Sequence, residues 1–199
     1  MTIATEQEQV NSVVLSLLPK QGMWNDERYL WLTDYTNQLI ELVDGNLEVL
    51  PIPTDKHQAI LQYLFLQFFA FISKHGGLVR FAPLRVFIRE GNFREPDLLL
   101  LLDDKDPRRQ NRFWLGADLV LEVVSPDKPE RDLVTKRNEY ALAQISEYWI
   151  VNPQTETITV LHLDDDHYTE VGTFARDSQA HSPLLHGFQV DVNAVFDVD

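Results

Sequence analysis

The chain has 199 residues, with 17 Lys+Arg against 31 Asp+Glu and no Cys. That length suits one domain with a sizeable core, and the lack of Cys excludes thiol catalysis, disulfides, Cys-ligated zinc and iron–sulfur clusters. A net charge of −14 disfavours non-specific adhesion to nucleic acid or anionic membrane, but 12 of the 17 cations fall in residues 79–139, where 12 acids balance them.

The opening Met1-Thr2-Ile3-Ala4-Thr5-Glu6 has no basic n-region. The longest apolar stretch, Ile60 to Ile72, is interrupted by Gln62 and Gln67 and is too short to span a bilayer. The expectation is a soluble cytoplasmic protein with no membrane partner. Residues 1–20 read as a polar lead-in that ends in the apolar run Val13 to Leu18, and residues 25–37 predict a short helix. Leu39 to Val43 and Leu47 to Leu50 flank Asp44-Gly45-Asn46, the pattern of a β-hairpin.

Thr54 or Asp55 can cap a helix that runs to about Lys74 and stops at Gly76-Gly77, with His57 in its first turn. That helix is apolar around most of its circumference, which suits a core or an interface; a homodimer would cover the surplus. Leu78 to Ile88 predicts one strand. Leu98 to Leu102 and Leu119 to Val124 are nearly unbroken apolar runs, suited to central strands covered on both faces. A polar loop, Asp103 to Arg112, lies between them. Pro129 to Gln144 predicts a helix, followed by strands at Glu147 to Val151, Thr157 to Leu163 and Tyr168 to Phe174, then an irregular tail over 178–199. Without repeats or linkers, residues 1–199 read as one α/β domain.

Three charges stand where the pattern calls for apolar residues. Asp97 opens a buried-type strand, and Glu122 shares a strand face with Val120 and Val124. Lys136 falls on a helix face with Leu133 and Tyr140, a face expected to meet the sheet. A buried carboxylate must be protonated, paired or metal-bound. Two carboxylates on neighbouring strands supply hard oxygen ligands for Mg²⁺, and a lysine beside them can orient water or offset phosphate charge. A buried ion pair that serves only architecture fits the same pattern equally well.

Glu95-Pro96-Asp97, Leu121-Glu122-Val123-Val124-Ser125-Pro126, Asp132 to Lys136, Tyr140 and Glu147-Tyr148-Trp149-Ile150-Val151, together with Glu41-Leu42-Val43-Asp44-Gly45 and His57, form an ordered set. From about residue 28 to 196 this set resembles the Uma family of endonucleases, within the PD-(D/E)XK restriction-endonuclease-like superfamily. The resemblance implies an α/β (α+β) fold with a four-stranded mixed core sheet flanked by helices. It also implies a Mg²⁺ or Mn²⁺ site made by Asp97 and Glu122, and hydrolysis of DNA. The superfamily places lysine two residues after the acid, where this chain has Val124; Lys136, on the following helix, stands in for it. Asn152 replaces an Asp common in the family.

Glu41 and His57 are supporting candidates, each with a plain structural alternative. Lys105, Arg108, Arg109 and Arg112 are candidate nucleic-acid contacts, although the interleaved Asp103, Asp104 and Asp106 favour a merely solvated loop. Two other classes stay open: a non-catalytic nuclease-fold binding or regulatory module, which the acidity favours, and a hydrolase of small phosphoesters.

Overall fold

The computed structural model describes residues 15–198; Val13, Val14 and the rest of the lead-in before them lie outside the described residues, as does Asp199. The chain divides into two compact units. One takes the residues up to Leu50 together with Glu90–Asn92; the other takes Pro51–Arg89 and the chain from Phe93 onward.

In the first unit, Asn25 caps helix α1 (Asp26–Thr33) by accepting the Arg28 amide. The buried Tyr29 hydroxyl donates to the Ile40 carbonyl at 2.7 Å, which ties the helix to the strand that follows. Strands β1 (Ile40–Val43) and β2 (Asn46–Val49) pair antiparallel, with Val43 opposite Asn46. The two residues between them, Asp44 and Gly45, have φ of 49° and 75°, as a tight two-residue hairpin turn requires. Gly45 is also fixed by space, since a Cβ there would lie 2.8 Å from the Gly22 carbonyl oxygen.

In the second unit, Thr54 caps helix α2 (Asp55–Ile72) by accepting the His57 amide. Strands β3 (Leu78–Phe81), β4 (Val86–Arg89), β5 (Asn92–Arg94, whose Asn92 is grouped with the first unit), β6 (Leu98–Leu101) and β7 (Leu119–Val123) follow. A π-turn (Arg131–Thr135) leads into helix α3 (Lys136–Leu142), and then come β8 (Glu147–Asn152), β9 (Thr157–Asp164) and β10 (His167–Phe174). The main sheet has six strands in the order β10-β9-β8-β7-β6-β3, against the four expected for the core. Of its five ladders only β7–β8 is parallel, and α3 makes the crossover that a parallel pair needs. The mixed sheet flanked by helices matches the expected fold class.

The apolar runs are buried on both faces. Leu98, Leu100, Leu119, Leu121 and Val123 pack with Ile60, Leu64, Phe68 and Ile72 of α2. Leu99, Leu101, Val120 and Val124 pack with Tyr140, Tyr148 and Trp114 on the opposite side. Helix α2 still leaves Leu66 and Phe69 about half exposed. Among the described residues no helix is long and apolar enough to cross a membrane.

Three expectations are corrected. The strand expected from Leu78 to Ile88 is broken into β3 and β4, because Pro83 has no N–H to give a ladder. The core sheet gains its outer strands from segments that each pair with only one core neighbour. The C-terminal tail is ordered rather than irregular: β11 (Gln179–His181) pairs with β12 (Gln189–Asp191), and Asp191 caps helix α4 (Val192–Phe196). Strands of three residues with one buried residue each, Ala180 and Val190, are too short to show a period.

Candidate active site

The β6–β7 ladder sets Leu98 opposite Leu121. Extending that register by one residue brings Asp97 opposite Glu122, and residues opposite each other in an antiparallel pair share a face. The two carboxylates are therefore neighbours on the side of the sheet that α3 covers, but their oxygens meet different partners. Asp97 accepts the Val123 amide on Oδ2 at 2.7 Å, and its Oδ1 lies 3.1 Å from His57 Nε2. Glu122 accepts from Lys136 Nζ at 2.8 Å and from the Tyr140 hydroxyl at 2.6 Å, both on Oε1. The side chains of Asp97 and His57 are 18% and 12% exposed, whereas those of Glu122 and Lys136 are 5% and 2% exposed. The site thus has a rim and a buried end.

Lys136 does point inward as its placement implied, but the face it lies on is different. Leu133, expected against the sheet, is 38% exposed, and Asp132 takes the inward position at 2%. The cause is the π-turn: the Lys136 amide donates to the Arg131 carbonyl, five residues back instead of four. The extra residue rotates everything before Lys136 by one position. Asp132 Oδ1 then lies 3.4 Å from Lys136 Nζ, so the buried ammonium stands between two carboxylates.

Further contacts fix this helix. Arg94, fully buried, grips Glu139 with Nε at 2.7 Å and Nη2 at 2.9 Å, a two-pronged pair one residue from Tyr140. Tyr148 donates to the Asp132 carbonyl at 2.9 Å. Burial, with the charges of Glu122 and Asp132 adding to it, pushes the Tyr148 hydroxyl well above the usual phenol range, so it stays a donor. Burial pulls the His57 imidazole down, yet the bonded Asp97 and the charges of Glu122 and Asp132 outweigh it and raise its pKa overall.

A cleft of about 400 Å³ opens at the rim, lined by Thr54, Lys56 and His57 from the start of α2 and by Val124, Ser125 and Asp127 where the chain leaves β7. Its prolines, Pro51, Pro53, Pro126 and Pro153, stiffen the wall.

Sequence reasoning missed Asp132 and Tyr140 as members of the site. Both enter the sequence reading only within the ordered motif set, Tyr140 also as a sheet-facing residue of the helix, with no role in the site; the Asp132–Lys136 spacing of four is the available signal. Glu41 is fully buried on β1, in the other unit. In the basic loop, Arg108 is taken up by Asp106 at 2.7 Å and Asp118 at 2.6 Å, so its guanidinium is committed within the fold. Those bonds raise the Arg108 pKa further and lower that of Asp106. Lys105, Arg109 and Arg112 are exposed.

Among the described residues no three His, Asp or Glu side chains are arranged to hold a metal ion. The Asp97–Glu122 pair does fit a hard cation that takes one or two carboxylates and fills its remaining positions with water and phosphate oxygens. Each Asp97 oxygen, bonded once, keeps a lone pair that could face a cation.

A mixed sheet with an Asp at the mouth of one strand, a Glu on its neighbour and a Lys on that Glu defines a restriction-endonuclease-like α/β protein. The chain belongs to the Uma2 family, described as "Putative restriction endonuclease", whose match covers residues 26–193. A similar solved structure is a crystal structure of "a putative nuclease belonging to DUF820" from Anabaena variabilis. It shares 18% identity at a TM-score of 0.73, covering 89% of this chain and 98% of that one, and so shows the fold. No curated protein matches the chain.

Proposed function

We propose that the protein is a Mg²⁺- or Mn²⁺-dependent endonuclease that hydrolyses DNA phosphodiester bonds. The observation that carries this is the facing pair Asp97 and Glu122, with Asp97 bonded to a histidine, His57, that lines the neighbouring cleft. Asp97 and Glu122 would hold the metal. Bound there, the cation supplies positive charge to the phosphate and acidifies water.

The chain's own residues divide the remaining work. Lys136 and Tyr140 keep the Glu122 carboxylate oriented through two donors on one oxygen. Asp132 balances the second side of the ammonium. The Val123 amide holds Asp97 at the strand mouth. His57 faces the cleft with a ring nitrogen that can pass a proton to the departing oxygen as the P–O bond breaks.

The test is cleavage of plasmid DNA by the folded protein with Mg²⁺ or Mn²⁺, with Asp97→Asn as the comparison. Metal-dependent nicking that Asp97→Asn loses is expected. A folded wild type that leaves the DNA intact in both metals refutes the reading. The modest cleft and the charge of −14 favour one second reading, a hydrolase of small phosphoesters. Turnover of bis-p-nitrophenyl phosphate with no cleavage of DNA would select it.

A further inference from the structure

In an acidic chain most partners of a cation are close at hand, and the residues around the site use them: Arg94 holds Glu139, Arg108 holds Asp106 and Asp118, and Lys136 holds Glu122. Arg80 and Arg109 do not follow. Among the described residues neither makes an ion pair. Arg80 Nη1 donates to the Val79 carbonyl and Arg109 Nη1 to the Asp104 carbonyl, each at 2.8 Å. Carbonyls orient the guanidinium groups and leave their charge uncompensated. Both arginines line one pocket of about 480 Å³, together with Gln110, Asn111, Leu84 and the buried Trp114.

We propose that this pocket binds a backbone phosphate of the DNA strand that occupies the Asp97–Glu122 site; the proposal rests on the nuclease reading above. Two guanidinium groups offer paired N–H donors matched to phosphate oxygens, and the Gln110 and Asn111 amides add neutral donors. The walls are held by backbone. Trp114 donates its amide to the Arg85 carbonyl and accepts from the Phe87 amide, each at 2.8 Å, and it bridges to Arg109 across the loop.

The position suits a neighbour of the scissile phosphate. Arg80 pairs with Leu99 across β3–β6, and Leu99 lies two residues from Asp97. Arg80, Asp97 and Glu122 therefore share one face of the sheet, and strand spacing puts the backbones of Arg80 and Asp97 about 8 Å apart. Of the basic-loop residues expected to meet nucleic acid, Arg109 is the one that shares this pocket, and Arg80 joins it from a strand that the loop pattern could not point to.

The test compares wild type with Arg80→Ala/Arg109→Ala and with Lys20→Ala/Lys74→Ala, which removes the same charge elsewhere. Binding of a short DNA duplex in EDTA is followed as salt is raised. The arginine variant should weaken binding and shrink the log–log salt slope by about one, the loss of one phosphate contact. The lysine variant should keep the wild-type slope. Arg80→Lys/Arg109→Lys should recover the slope but only part of the affinity, because lysine keeps the charge and loses the fork. A wild-type slope in the folded arginine variant overturns the subsite and leaves the nuclease reading standing.

A second arm is independent of DNA: pyrophosphate titrated against the Trp114 indole N–H signal. A saturable shift that the arginine variant abolishes supports the anion site. If wild type cleaves no DNA, the nuclease reading has failed and this arm alone decides; no shift at millimolar pyrophosphate then removes the anion site as well.

Discussion

Lys136 and Glu122 meet at 2.8 Å with hardly any solvent on either side, and Asp132 lies 3.4 Å from the same ammonium. Removing one member of such a group strands a buried charge, at about 3–5 kcal/mol. Lys136→Ala should therefore lose stability of that order, read as a shift in the denaturant midpoint. Glu122→Gln should impair both metal binding and cleavage, because an amide is a poor ligand for a hard cation. Lys136→Ala, once shown to be folded, should bind Mn²⁺ in calorimetry yet cleave far more slowly. Cleavage at the wild-type rate would make Lys136 purely architectural.

Tyr140→Phe removes one of the two donors on Glu122 Oε1 without opening a cavity. A hydrogen bond to a charged group contributes about 1.5–3 kcal/mol, so a stability loss in that range is expected from urea unfolding. An unchanged midpoint would mean that water replaces the hydroxyl.

His57 provides a pH signature in the metal-free protein. Its pKa is raised above 6.5 in the fold, so the charged ring is the form the native state favours. Its stabilising contribution is complete below pH 6.5 and fades as the pH rises through the folded value. His57→Gln should flatten the stability profile over that window. An imidazole titration by NMR should give a pKa above 6.5, and Asp97→Asn should bring it down. A wild-type value at or below 6.5 contradicts the Asp97 contact.

The π-turn makes a paired prediction. Leu133→Lys should cost no more than about 0.5 kcal/mol, as for an ordinary surface change. Asp132→Ala should be clearly more destabilising, since it leaves the Lys136 ammonium with one carboxylate fewer. On a regular helix Leu133 would share the buried face and both variants would be costly, and thermal unfolding of the two decides.

Arg94→Lys tests the clamp on α3. Lysine cannot make both the 2.7 and 2.9 Å bonds to Glu139. We expect a loss of stability with a parallel fall in activity, because the helix that carries Lys136 and Tyr140 is loosened. Glu139→Gln should show a milder version of both.

Much of this was legible where the residue pattern has a simple period. The Asp44-Gly45 hairpin, the Thr54-capped helix and the runs at Leu98 and Leu119 follow from turn chemistry, capping and burial on two faces. Asp97, Glu122 and Lys136 stood out because each charge interrupts an apolar pattern. Asp132 did not, because no apolar run surrounds it for its charge to interrupt, and the π-turn that carries Leu133 outward has no residue signature. The strands at Ala180 and Val190 were hidden by brevity, and the break at Pro83 by a hydrophobic run that continues past it. Arg80 lay outside the basic loop and joins Arg109 only through the β3–β6 register.

The turn at Arg131–Thr135 also makes the site sensitive to how many residues it contains, not only to which ones. The turn holds one residue more than a regular helical turn, which carries Leu133 off the face that Lys136 shares with Asp132. Deleting Val134 would let an ordinary helix close and swing the preceding segment by about 100°. Arg131 would then stand four residues before Lys136, the place Asp132 now holds, with every side chain in the site still present in the chain. For relatives of this protein, a one-residue gap at that turn is thus a more telling difference than several substitutions around it.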